Sequence, residues 1–153
     1  MRKDPRQKVF FHCPDHGSVG TIATPYGPPL YADRLQETLR YLVSNDHFDQ
    51  MLIYLEECES GSMYRGATAD YQDRVLAFTA SNPFESSYAT YCPEYGYQAR
   101  YIVPDASYIG SCLGDLSSVA WMEHTEKLDI AAVFVGERVK HIRNRTSDEG
   151  QFI

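Results

Sequence analysis

An apolar run at residues 8–13, an amphipathic segment starting at Ala32 and a second apolar run at residues 50–57 follow one another in this chain. Few folds accommodate that order. The first run, Lys8-Val9-Phe10-Phe11-His12-Cys13, is short and stopped by Pro14, which reads as a buried strand. From Ala32 the period changes: Leu35, Leu39, Leu42 and Val43 recur at helical spacing, while Arg34, Gln36, Glu37 and Arg40 fill the opposite face. The helix is expected to be capped near Asp33 and to end at Asn45-Asp46. Met51-Leu52-Ile53-Tyr54-Leu55 then forms the centre of a second buried strand. Strand, helix and strand make a βαβ unit, so the two strands run parallel and join by a right-handed crossover. Their carboxyl ends share one edge of the sheet, where open α/β folds build their sites. The expected class is α/β, with a partial, mostly parallel sheet and flanking helices.

The remaining segments fit around that unit. Residues 17–20 read as a loop and 21–24 as a short extended piece, before Pro25-Tyr26-Gly27-Pro28-Pro29 breaks the chain. Residues 59–64 are expected to begin a short helix, and 74–80 to form a third strand. Residues 81–111 hold six of the twelve tyrosines and no clear period, which suggests a substrate-facing loop or an irregular insertion. Residues 116–123 and 128–142 read as helices. The second has Ile130, Val133, Phe134 and Val139 as its apolar face and Gly136 as a weak point. No internal repeat is visible, and 153 residues with 43% hydrophobic content correspond to one ordinary globular domain.

A formal charge of −7 argues against nucleic-acid binding, which needs clustered Lys and Arg. The basic run at residues 138–145 reads as the solvated face of a last helix. No apolar stretch approaches the ~20 residues of a membrane span. The basic N-terminus leads into too short an apolar run for a secretory signal peptide. Of the four cysteines, Cys92 and Cys112 flank the Tyr-, Gly- and Pro-rich stretch, and spacing alone allows either a disulfide there or two free thiols.

The chemistry concentrates at the two strand ends. His16 follows the first strand and Cys58 terminates the second, 42 residues apart in sequence but on one edge of the sheet. Only a thiolate attacks a carbonyl well, and a neighbouring imidazole both helps form it and later protonates the leaving amine. At the start of a helix, Cys58 would also gain from the positive helix end. The backbone N–H groups of Gly17 and Cys58 are candidate oxyanion donors, with Gly17 permitting close approach. A metal site built from His12, Cys13, His16 and Cys58 is disfavoured, because alternation sends His12 and Cys13 to opposite faces and no C-x-x-C pair is present. No metal and no cofactor are expected. His47, His124 and His141 lie in polar surroundings and are expected to face solvent.

At these residues the chain resembles the legumain family, the asparaginyl endopeptidases of caspase-like (caspase–hemoglobinase) fold, and most of all the plant vacuolar processing enzymes. The matching blocks are Asp15-His16-Gly17-Ser18, Ile53-Tyr54-Leu55-Glu56-Glu57-Cys58-Glu59-Ser60-Gly61-Ser62, Thr79-Ala80-Ser81-Asn82, Glu85-Ser86-Ser87-Tyr88, Thr90-Tyr91-Cys92-Pro93, and Cys112-Leu113-Gly114-Asp115-Leu116 through Val119-Ala120-Trp121-Met122-Glu123. The resemblance implies His16 as general base, Cys58 as nucleophile, and Gly17 with Cys58 as oxyanion donors. It also implies Glu56 and Asp115 as acidic pocket residues, Ser86 on the substrate channel and a disulfide between Cys92 and Cys112. Carboxylates suit a pocket for Asn, whose NH₂ needs acceptors. Substrates would be peptides or proteins cleaved after Asn, less readily after Asp, and the expected location is the vacuole or lysosome. Asn144-Arg145-Thr146 is a glycosylation sequon that matters in a secreted chain.

The chain also departs from that pattern. Family members carry a longer segment before the His-bearing strand, with an Asn that orients the His and an Arg-His pair of the pocket, and a C-terminal prodomain. The expectation is therefore a single partial peptidase domain over residues 1–153, with matching blocks across 9–146. Pro14 stands where a small hydroxyl residue is usual, Glu57 where Ala is usual, and Ser117-Ser118 where an aromatic-Ser pair is usual. Glu57 raises the pKa of Cys58 if it faces the same way, and strand alternation offers the other orientation, turned aside. Two other readings share the residues: a catalytically silent legumain-like remnant or interaction module, and the transamidase subunit that attaches lipid anchors. Glu56, Asp115, Cys92 and Cys112 favour legumain over the transamidase.

Overall fold

In a computed structural model, which describes residues 7–67, 71–93, 109–127 and 134–146, twelve elements follow one another. They are β1 (Lys8–Pro14), β2 (Gly17–Ser18), β3 (Thr21–Ile22), β4 (Leu30–Tyr31), α1 (Ala32–Ser44), β5 (Gln50–Glu56), a 3-10 turn (Ser60–Tyr64), β6 (Val75–Thr79), β7 (Ala89–Thr90), β8 (Gly114–Asp115), α2 (Leu116–Glu126) and α3 (Val135–Thr146). They fall into two compact units, one ending at Ser86 and one beginning at Ser87.

The first unit is built on three parallel strands in the order β1-β5-β6. Lys8 pairs with Gln50 and Pro14 with Glu56, while Met51 pairs with Val75 and Leu55 with Thr79. The βαβ unit read from the sequence is therefore present, with α1 as its crossover helix. Alternation divides the sheet into two faces. Ile53 and Leu55 point into a core shared with Ile22, Leu35, Leu39, Phe48, Met63, Tyr71 and Val75. Each fully buried aliphatic side chain contributes about 1.5–3 kcal/mol by leaving water. The other face carries an aromatic row in which Tyr54 lies 5.3 Å from Phe10 and 5.2 Å from Phe78, centroid to centroid. The first strand, expected to be buried, is not: β1 is an outer strand of this sheet without a fully buried residue, and Phe10 and Phe11 on it are exposed.

Two local expectations are refined. The N-cap of α1 is Tyr31, whose side chain makes no capping hydrogen bond, while Asp33 Oδ1 accepts the first-turn N–H of Arg34 at 2.7 Å. The first-turn donor of Ala32 is instead satisfied by the Gly20 carbonyl at 2.9 Å, so a tertiary contact takes over the capping role. Residues 17–20 are not a plain loop either. Gly17 and Ser18 pair antiparallel with Ile22 and Thr21, and Gly20 makes the turn at φ +76°. The end of α1 is as expected: Asn45 is its C-cap and Asp46 follows at φ 51°.

In the second unit β7 and β8 pair antiparallel, and a disulfide joins Cys92 to Cys112. Leu116, Ala120 and Ile142 are buried along α2 and α3. Glu123 accepts from Arg145 Nη1 at 2.6 Å and from the Tyr91 hydroxyl, joining the segment after β7 to both helices. This pairing lowers the pKa of Glu123, chiefly through the Arg145 hydrogen bond. The helix expected at 128–142 is found as Val135–Thr146, with Gly136 in its first turn; residues 128–133, including Ile130 and Val133, lie outside the described residues. Phe134 precedes that helix and is exposed, and Ile142 and Thr146 are its buried residues instead. Of the irregular stretch at 81–111, residues 94–108 lie outside the described residues. His141 is exposed as expected, whereas His124 is half-buried with its Nδ1 buried, and the two rings stack at 4.0 Å between α2 and α3. The ring of His47 lies 5.7 Å from that of Tyr41, and the residue is half-buried.

Candidate active site

Strand register determines what can meet at the carboxyl edge of the first unit. Pro14 lies opposite Glu56, and Asp15 N–H extends the ladder to the Glu56 carbonyl at 3.3 Å. His16 and Cys58 each stand two residues beyond that pair, on adjacent strands and at the same edge. His16 is exposed and Cys58 half-buried. The His16 N–H donates to Asp15 Oδ1 at 2.7 Å, and its carbonyl accepts from Ala23 N–H at 2.8 Å.

That last bond sets the phase of the hairpin. In an antiparallel ladder bonded and non-bonded pairs alternate, so the Gly17–Ile22 pair is non-bonded and the Gly17 N–H is not used by the ladder. Gly17 also packs directly on the second strand end. A Cβ at this position would lie 2.5 Å from the Cys58 carbonyl oxygen and 2.7 Å from Glu57 Cβ. Only glycine permits this approach, and it brings the His16-Gly17 and Glu57-Cys58 backbones together. The hairpin turn is held from the same side, since Gly20 N–H donates to Ser62 Oγ at 2.7 Å.

The segment after Cys58 is clamped from the far side by the segment after β6. Ser60 N–H donates to Ser81 Oγ at 3.0 Å, Ser81 N–H donates to Ser60 Oγ at 3.2 Å, and the two hydroxyls lie 3.1 Å apart. Ser81 Oγ donates onward to the Glu57 carbonyl at 2.8 Å. Gly61 N–H reaches the Ser81 carbonyl, and a Cβ on Gly61 would meet Pro83 at 2.9 Å. The expected short helix is a five-residue 3-10 turn, Ser60–Tyr64, and Glu59 enters it in the left-handed conformation at φ 52°. Cys58 therefore does not begin an α-helix, and the proposed help from a positive helix end is withdrawn, because so short a turn aligns few peptide dipoles.

Glu57 turns away from Cys58. It continues the core-facing side of β5 and is only 1% exposed. Its carboxyl faces the Cys13 thiol, which is pushed up to about 11 by burial and by the Glu57 charge. Burial pushes Glu57 itself up to about 8 against a hydrogen bond from the Cys13 thiol that pulls it down, and the neighbouring Glu56 and Asp15 carboxylates add to the rise. Glu56 is buried at the end of β5 on the Tyr54 side, and Ser86 is exposed at the end of the first unit. Asp115 belongs to the second unit, where it pairs with Ala89 and occupies the N-cap position of α2. Among the described residues no group of three or more His, Cys, Asp or Glu could hold a metal ion. Nor is any helix among them long and apolar enough to cross a membrane.

Ser60, Ser62 and Ser81 had no assigned role in the sequence reading, although all three lie in the blocks quoted above. The available signal was the spacing Cys-x-Ser-x-Ser directly after a buried strand. Small hydroxyl residues there indicate side chains that tie a turn to neighbouring backbone.

Comparison with known proteins gives the family. Residues 1–151 match the model of the Peptidase C13 family. A vacuolar-processing enzyme of Vicia sativa is 37% identical over 145 residues, covering 95% of this chain and 28% of that protein. The β-isozyme of the vacuolar-processing enzyme of Arabidopsis thaliana is 38% identical over 144 residues, 94% of this chain and 28% of its own length. A legumain of Canavalia ensiformis is 32% identical over 152 residues, 99% of this chain and 30% of its own length. The chain thus spans less than a third of the relatives it matches. By a family match that extends over nearly every residue, on an α/β scaffold of caspase-like type, this chain belongs to the Peptidase C13 family.

Proposed function

We propose that the chain carries the centre of a cysteine-type endopeptidase that cleaves peptide bonds after Asn, and less readily after Asp. The observation that carries this reading is the packing of Gly17 on the Cys58 carbonyl, with His16 and Cys58 at equivalent positions past two paired parallel strands. In this scheme His16 takes the proton of the Cys58 thiol, and Sγ attacks the carbonyl carbon of the scissile bond. The negative charge that develops on the carbonyl oxygen is met by the N–H groups of Gly17 and Cys58. His16 then gives its proton to the leaving amine as the C–N bond breaks, leaving a thioester on Cys58. Water, deprotonated by His16, hydrolyses that thioester and releases the acid. Glu56 and Ser86 would serve the Asn side chain, with a carboxylate accepting from its NH₂. The relatives named vacuolar-processing enzymes point to a vacuolar setting.

The test is an assay of the purified chain on an Asn-containing fluorogenic peptide, from about pH 4 to about pH 7, beside Cys58→Ala and His16→Ala. Turnover that disappears in both variants is expected. Turnover that survives in Cys58→Ala, or none in the parent chain, overturns the proposal for these residues.

A further inference from the structure

Glu57 is a carboxyl placed where a carboxyl has no electrostatic reason to be. It is buried directly under the Gly17 turn, and among the described residues its oxygens meet no donor beyond the weak Cys13 thiol. The groups that act on it come from each element packed around it. The end of β1 brings the Cys13 thiol and Asp15, β5 brings Glu56, and the 3-10 turn brings Tyr64. The hairpin itself contributes only Gly17, and exposed His16 beside it is not among the groups acting on Glu57. Every one of these neighbours is neutral or acidic. A carboxylate in that position would be a buried charge without a cation, which is among the most costly arrangements a protein can hold.

The neutral acid removes that cost, and the contacts above it are of a kind that can yield. The hairpin rests on Glu57 through glycine backbone and is fastened elsewhere by Asp15 N–H to Glu56, Gly20 N–H to Ser62, Ala32 N–H to Gly20, the β3–β4 pairing and the buried Ile22 side chain. Lifting the Gly17 arm, with Ile22 still seated in the core, would admit water to the carboxylate at the expense of a few hydrogen bonds. It would also separate the Gly17 and Cys58 backbones.

We propose that Glu57 is a positioning residue whose protonation seats the Gly17 hairpin on the Cys58 segment, so that the site assembles in acid and opens as Glu57 ionises. This deepens the peptidase reading and rests on it for its consequence in catalysis, while the structural switch stands without turnover. A carboxyl with a raised folded pKa binds more protons folded than unfolded. Its stabilising effect is therefore full below the ordinary value of 4.5 and lost progressively as pH rises through about 8.

The experiment compares the chain with Glu57→Gln, a neutral isostere, and Glu57→Ala at about pH 5 and about pH 8.5. The readouts are melting temperature and amide exchange at residues 17–22, corrected for the intrinsic rate. The parent chain is expected to lose roughly 5–10 °C and about tenfold or more of exchange protection at the higher pH. Glu57→Gln should lose less than half as much. A loss in Glu57→Gln equal to that of the parent overturns the proposal, whatever the peptide assay shows. Should Glu57→Gln fail to fold, the comparison passes to Glu57→Ala. Carbon NMR of the Glu57 carboxyl in the parent chain decides independently: a midpoint well above 4.5 supports the proposal, and one near 4.5 overturns it.

Discussion

Ser60 and Ser81 hold each other through both backbone and side chain, each N–H donating to the other's hydroxyl at 3.0 and 3.2 Å. This closed pair, 21 residues apart in sequence, fixes the turn that follows Cys58 to the end of β6. The turn carrying Cys58 therefore takes its shape from neighbouring backbone rather than from a long helix. Gly17 on one side and Ser81 on the other set where that turn sits.

Ser81→Ala removes the acceptor of Ser60 N–H and the donor to the Glu57 carbonyl at a position that is 0% exposed. Leaving buried partners unsatisfied costs about 2–3 kcal/mol. Urea unfolding should show that loss, while Ser86→Ala, at an exposed position, should change stability by less than about 0.5 kcal/mol. Equal effects from the two would mean that the Ser60–Ser81 pair does not hold the turn.

Gly17→Ala places a methyl group 2.5 Å from the Cys58 carbonyl oxygen, against backbone that cannot rotate aside. The hairpin must shift, at roughly 1–3 kcal/mol of stability. If the chain is active, Cys58-dependent turnover should fall on the order of 100-fold, because the proposed oxyanion donor, Gly17 N–H, moves with the hairpin. Gly20→Ala is the matched control. It meets nothing within 4 Å, and its cost of about 1 kcal/mol comes from φ alone. A Gly17→Ala chain no less stable than Gly20→Ala would remove the close contact from the account.

The His124–His141 stack responds to acid in the opposite sense to Glu57. Burial, then His124, Arg145 and Lys127, hold the pKa of His141 below its ordinary 6.5. The unfolded chain therefore binds more protons at this residue, so the contribution of His141 is full above 6.5 and declines as pH falls through the depressed value. His141→Gln should weaken the acid limb of a plot of melting temperature against pH and leave the alkaline limb unchanged. An unaltered acid limb would show that the stack does not titrate against folding.

The strand–helix–strand order was legible from residues 8–57 because burial imposes its period on the sequence. Apolar residues recur continuously in β5, which is covered on both faces, and at helical spacing in α1, whereas β1 carries the same kind of run with Phe10 and Phe11 exposed. His16 and Cys58 were legible as one edge for the same reason: parallel strands must end together. What could not be read were interactions whose partners are far apart in the chain. The cap of α1 is a carbonyl from Gly20, the turn after Cys58 is held by Ser81, and His124 stacks on His141. Nothing in the local pattern of any of these residues carries their partner's address.

Glu57 shows the division most directly. Its position beside Cys58 follows from the sequence, as does the choice that alternation leaves open between facing the thiol and turning aside. Only the tertiary structure decides that it turns aside, because Gly17 closes over it and Cys13 receives its field instead. Sequence determined the α/β class, the order of the strands and the residues available at their ends, through short-range propensity and burial periodicity. Tertiary structure determined which backbones touch there and which charge is left in the core, since both depend on packing between segments that sequence order does not relate.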